Sequence, residues 1–248
     1  MKIVLTPDWF IGKDVLIDVF SFFVLFVFLI LAVKNYRLSK NRSLLYLGVG
    51  FGMVALAQLA TIFTKLVLYY NFGPTQAIGN ALITSQLVSS VDIFYYAGFF
   101  FHRLMTLLGF FIIYRLPREK KSWGDYALVL YFIFVSALLS KEMYYLFHLT
   151  ALVLLVLIVG NYYGVLMKHG LFNTKILIVA FSLLAFSQLV FALSTLDLMF
   201  VLANIIELVS YSILLGLGIR LLQHGKEKKP NGYNIGYVGD NSGKKRKH

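Results

Sequence analysis

The chain alternates between long apolar runs and short polar segments, and this pattern predicts helices that cross a membrane. The runs are continuous rather than alternating in hydrophobicity, so they predict α-helices and not the strands of an outer-membrane barrel. Each has the length that a bilayer requires of a helix, about 17 to 25 residues. The seven runs are Val15–Val33, Leu44–Leu68, Ile93–Tyr114, Trp123–Ser140, Met143–Met167, Ile176–Leu193 and Leu198–Leu222. The predicted fold class is an all-α polytopic membrane protein with seven transmembrane helices.

Composition agrees with a lipid environment. The chain is 59% hydrophobic and 14% charged, whereas soluble domains are about 45 to 50% apolar and about 25% charged. The first run is predicted to remain as an anchor, because Asp8, Asp14 and Asp18 precede or enter it and no small-residue cleavage site follows. The absence of cysteine excludes disulfides, thiolate metal sites and cysteine nucleophiles.

Basic residues concentrate on one side of the predicted bundle. They lie between runs one and two, three and four, and five and six, and after run seven: Lys34, Arg37, Lys40, Arg42, Arg115, Arg118, Lys120, Lys121, Lys168, Lys175 and Arg220. The positive-inside rule then predicts an outside N-terminus and a cytoplasmic C-terminus for a multi-pass protein of the cell membrane.

The formal charge of +12 predicts partners for the cytoplasmic face. A basic surface attracts anionic lipid head groups of the bilayer, and we expect a protein partner there as well. The basic loops lack aromatic platforms for stacking bases, so nucleic-acid binding is not predicted.

Two domains of unequal size are predicted. Residues 1–223 form the transmembrane domain, and residues 224–248 form a basic tail whose glycine-rich, polar sequence is typical of disorder. Asn71–Val91 is the largest outer connection, and its sequence predicts a turn followed by an amphipathic helix.

Arg103 and Glu207 are opposite charges near the middle of their apolar runs. A charge at bilayer depth costs about 2.5 to 3.5 kcal/mol on insertion scales, so it normally faces the protein interior and has a partner. Arg103 lies eleven residues after Asp92, and Glu207 lies ten residues after Asp197, which places them at similar depth. Helical spacing adds Tyr96 to the stripe of Arg103 and adds Asn204 and Tyr211 to that of Glu207. We expect the two stripes to face each other, either as a ligand or proton site or as an ion pair that only fixes helix orientation.

Asp18 and Lys65 form a second predicted pair, about one turn below the outer boundary. A purely structural role is favoured, since lysine can also extend its ammonium group to the interface.

His102 and His148 raise the possibility of haem, which membrane cytochromes bind between histidines of facing helices. His102 lies ten residues in from Asp92 and His148 six in from Glu142, a mismatch of about 6 Å at the helical rise. Hydrogen-bonded polar histidines are therefore favoured, and neither a cofactor nor a metal is predicted.

Gly48 and Gly52 give the second run a small-residue face. Such faces let helix backbones approach closely. Packing within this chain is favoured over dimerisation.

Sequence motifs separate the chain from two large seven-helix classes. The acidic-Arg-aromatic triplet that G-protein-coupled receptors carry in the third helix is replaced by Tyr114, Arg115 and Leu116, and the seventh run contains no Asn-Pro pair. The same run has no lysine to which retinal could attach, as microbial rhodopsins require. Hydrolase and zinc motifs are also missing, so an enzyme is not predicted.

The first inner loop resembles those of prokaryotic multi-pass membrane sensor domains. In that group a basic loop leads into a Gly- and Ala-containing helix, much as Tyr36, Arg37, Leu38 and Lys40 lead into Leu44–Ala60 here. The resemblance implies a sensor. This sequence departs from the pattern in one respect, because no output domain follows the seventh run, and signalling is therefore expected to need a separate partner. The leading hypothesis is a non-enzymatic membrane sensor, adaptor or assembly subunit. The alternatives are a small transporter or ion-conducting protein with a route past Arg103 and Glu207, and a haem-binding electron-transfer subunit using His102 and His148.

Overall fold

The structure, a computed structural model, describes residues 6–40, 42–70, 90–116, 123–140, 143–170, 172–194 and 196–227. These residues form a 3₁₀ turn, Asp8–Phe10, and seven α-helices. The helices are α1 Lys13–Ser39, α2 Arg42–Tyr70, α3 Ser90–Arg115, α4 Trp123–Leu139, α5 Tyr144–His169, α6 Phe172–Ala192 and α7 Asp197–Glu227.

Six of the seven predicted spans are long and apolar enough to cross a membrane: all except α4. The apolar part of α4 is shorter, Tyr126–Leu139. Its 17 residues extend about 25 Å at the rise of an α-helix, against a hydrocarbon core of about 30 Å. The chain is therefore an all-α, multi-pass membrane protein, while the seventh crossing and the orientation of the termini stay predictions.

The long helices pack as a closed ring. In order around it, α1 contacts α2, α2 contacts α3, α3 contacts α5, α5 contacts α6, α6 contacts α7, and α7 returns to α1. Helix α4 packs against α3 and α5. The stacking of Arg115 on the Tyr126 ring, 4.6 Å away, ties the start of α4 to the end of α3, so α4 runs antiparallel to α3.

The glycines of α2 set two of these contacts. A Cβ on Gly48 would lie 2.7 Å from the Cβ of Ala32 in α1, so the small-residue face packs within the chain, as the sequence favoured. On the other side of α2, a Cβ on Gly109 of α3 would lie 2.7 Å from the carbonyl oxygen of Gly50. Glycine is needed here because the two backbones nearly touch.

Apolar packing fills one half of the ring and polar side chains the other. We call the end that carries the starts of α1 and α7 and the end of α2 the N-terminal face; Phe10, Ile17 and Val201 cluster there. Toward the opposite face the ring is filled by buried apolar side chains that include Phe51, Ile113, Leu155, Ile158 and Leu217.

Two sequence expectations concern segments at or beyond the limits of the described residues. Most of the outer connection Asn71–Val91, residues 71–89, lies outside them, and so does the tail from residue 228 onward. Helix α7 continues to Glu227, a few residues past the predicted start of the tail at His224.

Candidate functional site

A cavity of about 160 Å³ lies inside the ring, near the N-terminal face. Its walls come from α1, α2, α3, α5, α6 and α7, and its base reaches the apolar side chains Phe110 and Leu184. The charged and polar residues that line it are Thr6, Asp18, Gln58, Thr61, Lys65, His102, Arg103, Thr106, His148, Gln188, Asn204 and Glu207.

Lys65 is the centre of a buried ionic cluster on one wall. Its Nζ lies 2.6 Å from Asp18 Oδ2, so the predicted pair is formed, and 3.1 Å from Asp14 Oδ2. The sequence reasoning missed the second carboxylate, although Asp14 and Asp18 are four residues apart and therefore share a helix face. Two carboxylates around one ammonium group compensate its charge at depth.

The same cluster fixes the N-terminal segment over the cavity. Tyr69 donates its hydroxyl hydrogen to Asp14 Oδ2, 2.8 Å away, and its oxygen is also 3.1 Å from Thr6 Oγ1. Tyr69 lies beyond the apolar part of α2, Leu44–Val67, and burial raises the pKa of its hydroxyl to about 12. The hydroxyl therefore stays protonated and available as a donor at physiological pH.

Arg103 lines the cavity, but it is not paired with Glu207 as the sequence predicted. Its Nη1 donates to Ser140 Oγ at 2.9 Å, and its guanidinium lies 5.9 Å from the centre of the Phe99 ring. Within the described part of the chain, no ion pair joins Arg103 to Glu207. The reason is direction: arginine has a long side chain, and here it extends toward the end of α4 rather than across the ring.

Glu207 faces the cavity from α7 and is only partly buried there. It accepts a hydrogen bond from Tyr211, which is also hydrogen-bonded to Gln58 of α2. Asn204 lies one turn before Glu207 and uses its amide nitrogen to bond the Phe200 carbonyl oxygen at 2.8 Å. The predicted stripe Asn204, Glu207 and Tyr211 therefore does face the interior.

Tyr96 does not join this site. It is 45% exposed and does not line the cavity, whereas Phe99 of the same helix does. Helical spacing alone placed Tyr96 on the face of Arg103, but it lies two turns nearer the helix start.

Both histidines line the same cavity, despite the depth mismatch estimated from the sequence. His102 Nδ1 lies 3.1 Å from the Ala57 carbonyl oxygen, and His148 Nδ1 lies 2.7 Å from Gln188 Oε1. The Phe147 ring contacts both, with centroid distances of 5.7 Å to His102 and 4.9 Å to His148. Lining one cavity does not require equal depth: the helices start at Ser90 and Tyr144, which places His102 twelve residues and His148 four residues in.

The surroundings of the histidines do not fit haem. Cavities of about 150 Å³ hold benzene, and a porphyrin is far larger than the 160 Å³ present here. The His148 ring also lies against Phe191 at 5.0 Å and Tyr144 at 4.5 Å. Among the residues that the structure describes, no group of three or more His, Asp or Glu could hold a metal ion.

Thr106 carries the feature that sequence reasoning missed most clearly. It is 7% exposed and lines the cavity, and its Oγ1 has no hydrogen-bond partner among the described residues. Buried hydroxyls are normally bonded, often to their own helix backbone. The available signal was its position three residues after Arg103, on the same side of α3.

Comparison of the chain with protein-family models, with curated proteins and with solved structures finds no match. The functional argument therefore depends on the cavity and its residues.

Proposed function

We propose that this protein is a non-enzymatic membrane sensor that binds a small polar ligand in the cavity near its N-terminal face. The observation that carries the proposal is the distribution of polar side chains. They surround a cavity in one half of the ring, and the other half is packed with apolar residues. Such an arrangement favours a binding pocket over a continuous polar route.

The exposed charges support a second function at the opposite face. Lys34, Arg37, Arg115, Lys168 and Lys175 are all exposed there. A basic surface of this kind attracts anionic lipids and acidic protein segments. We infer that ligand binding at one face is passed through the packed core to a protein partner at the other. The resemblance of the first inner loop to prokaryotic sensor domains is consistent with this division.

A transporter is the main rival, because an apolar half can open when helices move. Transport proteins commonly bind their substrates at discontinuous helices between repeated halves. Here each wall of the cavity belongs to a continuous helix among the described residues. This observation favours the sensor.

Ligand screening of the purified protein tests the proposal. The protein in nanodiscs is screened by thermal stability against small polar metabolites, and each stabilising compound is tested again on Thr106→Met, which fills the cavity. We expect a compound that stabilises the wild type and not the variant. The sensor proposal fails if no compound does so.

Two further measurements separate sensor, adaptor and transporter. Uptake of the stabilising compound into proteoliposomes, compared with liposomes without protein, would indicate a transporter. Co-purification from native membranes with and without the compound should recover a partner whose amount changes with the ligand. A partner that is retained equally in both conditions would indicate an adaptor.

A further inference from the structure

The charges around the cavity are unequal in number. Among the described residues, two carboxylates (Asp18 and Glu207) and two basic side chains (Lys65 and Arg103) line the cavity, and a third carboxylate, Asp14, lies behind its wall against Lys65. Lys65 already lies between Asp14 and Asp18. An uncompensated negative charge in a low-dielectric site attracts a cation much more strongly than it would in water.

The wall formed by α7 presents hydrogen-bond acceptors. Asn204 uses its amide nitrogen on the Phe200 carbonyl, which leaves its side-chain oxygen as an acceptor. A carboxylate accepts about four hydrogen bonds, and the Glu207 carboxylate receives one from Tyr211. Asn204 and Glu207 are three residues apart, so both groups face the cavity from adjacent turns of one helix.

His102 adds an acceptor from the opposite wall. A carbonyl oxygen only accepts hydrogen bonds, so the His102 Nδ1 near Ala57 must carry a proton. In a neutral ring the other nitrogen is then an acceptor. The site therefore offers several acceptors and one carboxylate more than it has basic side chains, an arrangement that suits a ligand that donates hydrogen bonds and is positively charged.

Thr106 identifies a second contact point. Its buried hydroxyl lacks a partner in the described structure and lies on α3. Leaving a buried hydroxyl unpaired costs about 1 to 3 kcal/mol, so a ligand that bonds it gains affinity. Thr106 and Glu207 line the same cavity from α3 and α7, so a ligand that spans the cavity faces both groups.

We propose that the cavity binds a small organic amine, with its ammonium group at Glu207 and Asn204 and a second polar group at Thr106. This inference rests on the sensor function proposed above and specifies its ligand class. The cavity volume of about 160 Å³ limits the ligand to a molecule about as large as benzene with one or two substituents. The aromatic side chain of Phe200 also lines the cavity and suits a cation, which is attracted to the faces of aromatic rings.

Three probes of similar size test the charge preference. Benzylamine is cationic, benzyl alcohol neutral and benzoate anionic. Their binding to the wild-type protein in nanodiscs is measured by ligand-observed NMR, with empty nanodiscs as the control for partition into lipid. We expect benzylamine to bind at least about tenfold more tightly than the other two, because a hydrogen bond to a charged group is worth about 1.5 to 3 kcal/mol.

Two substitutions test the assigned contacts. Glu207→Gln should weaken benzylamine binding by about ten- to a hundredfold, while Asp197→Asn, which removes an exposed carboxylate from the start of the same helix, should leave it unchanged. Thr106→Val should weaken binding of 4-hydroxybenzylamine by about fivefold and leave benzylamine unaffected.

The outcomes separate the ligand class from the site. If benzyl alcohol or benzoate binds as tightly as benzylamine and Thr106→Met abolishes that binding, the amine inference is wrong and the binding cavity stands. If no probe binds above the empty-nanodisc control, or if Thr106→Met leaves all binding intact, the amine inference fails, and the sensor proposal is decided separately by the metabolite screen described above. The comparison of the three probes uses the wild type, so it remains decisive even if Glu207→Gln does not fold.

Discussion

Lys65 is a buried charge enclosed by two carboxylates. Asp14 and Asp18 both contact it inside the ring, and removing one member of a buried ionic group typically costs about 3 to 5 kcal/mol. We predict that Lys65→Met, which leaves two buried carboxylates together, lowers the melting temperature in nanodiscs sharply. Lys168→Met changes an exposed lysine and should have little effect. Equal melting temperatures for Lys65→Met and Lys168→Met would contradict the conclusion that Lys65 is enclosed in a buried ionic cluster.

Arg103 and Glu207 should act independently. They line one cavity but form no ion pair within the described residues, and Arg103 bonds Ser140. We predict that the stability losses of Arg103→Met and Glu207→Met add to within about 0.5 kcal/mol in the double variant. A matched cycle of Arg103→Met with Ser140→Ala should instead show coupling. If the double variant of Arg103 and Glu207 is much more stable than the sum of the two single losses predicts, the two residues form the ion pair that was expected from the sequence.

The candidate site could be predicted from the sequence in part. Polar residues in apolar runs identified Asp18, Lys65, Glu207, Asn204 and Tyr211, because such residues must face the interior. Their partners could not be predicted, since a side-chain partner depends on how neighbouring helices are rotated and on where a long arginine extends. Thr106 was missed because a lone threonine in a helix usually bonds its own backbone.

At the scale of the secondary-structure element, the lengths of the apolar runs predicted the positions of the helices well. The six long helices coincide with predicted runs to within a few residues, because continuous apolar sequence in lipid leaves the helix as the available backbone structure. The exact ends of the helices could not be predicted from the apolar runs, because they depend on local backbone conformation. Lys40 and Gly170, for example, end α1 and α5 in the left-handed conformation, with φ of 54° and 63°.

Close approach of α2 and α3 gives a prediction for helix packing. A Cβ on Gly109 would meet the Gly50 carbonyl oxygen at 2.7 Å and a Val54 methyl group at 2.6 Å, so the helices must separate to accept it. We predict that Gly109→Ala destabilises the protein by about 1 to 3 kcal/mol, the usual cost of overpacking. Gly164→Ala introduces the same methyl group in α5, where nothing lies within 4 Å, and should be neutral or slightly stabilising because alanine is the better helix former. Thermal unfolding of both variants measures the difference.

At the scale of the whole molecule, the closed ring of helices could not be predicted from the sequence. Hydrophobicity alone does not show that α7 returns to α1 or that α3 passes α4 to contact α5. These contacts depend on the shapes of helix surfaces, such as the Ser210 hydroxyl bonding the Ala180 carbonyl oxygen at 2.7 Å between α7 and α6. The ring matters for function because it brings residues from six helices to one cavity.

Orientation in the membrane decides which compartment the cavity can sample. Basic residues predict that the N-terminal face is outside, and the chain contains no native cysteine, so single introduced cysteines report sidedness without background. We predict that Met143→Cys and Leu196→Cys, exposed at the N-terminal face, react with a membrane-impermeant maleimide in intact cells. Arg37→Cys and Lys168→Cys, exposed at the other face, should react only after permeabilisation. The reverse pattern would turn the cavity toward the cytoplasm and make the ligand an intracellular molecule. Labelling of Met143→Cys on the opposite side from Leu196→Cys would instead contradict the ring, which places both residues at one face.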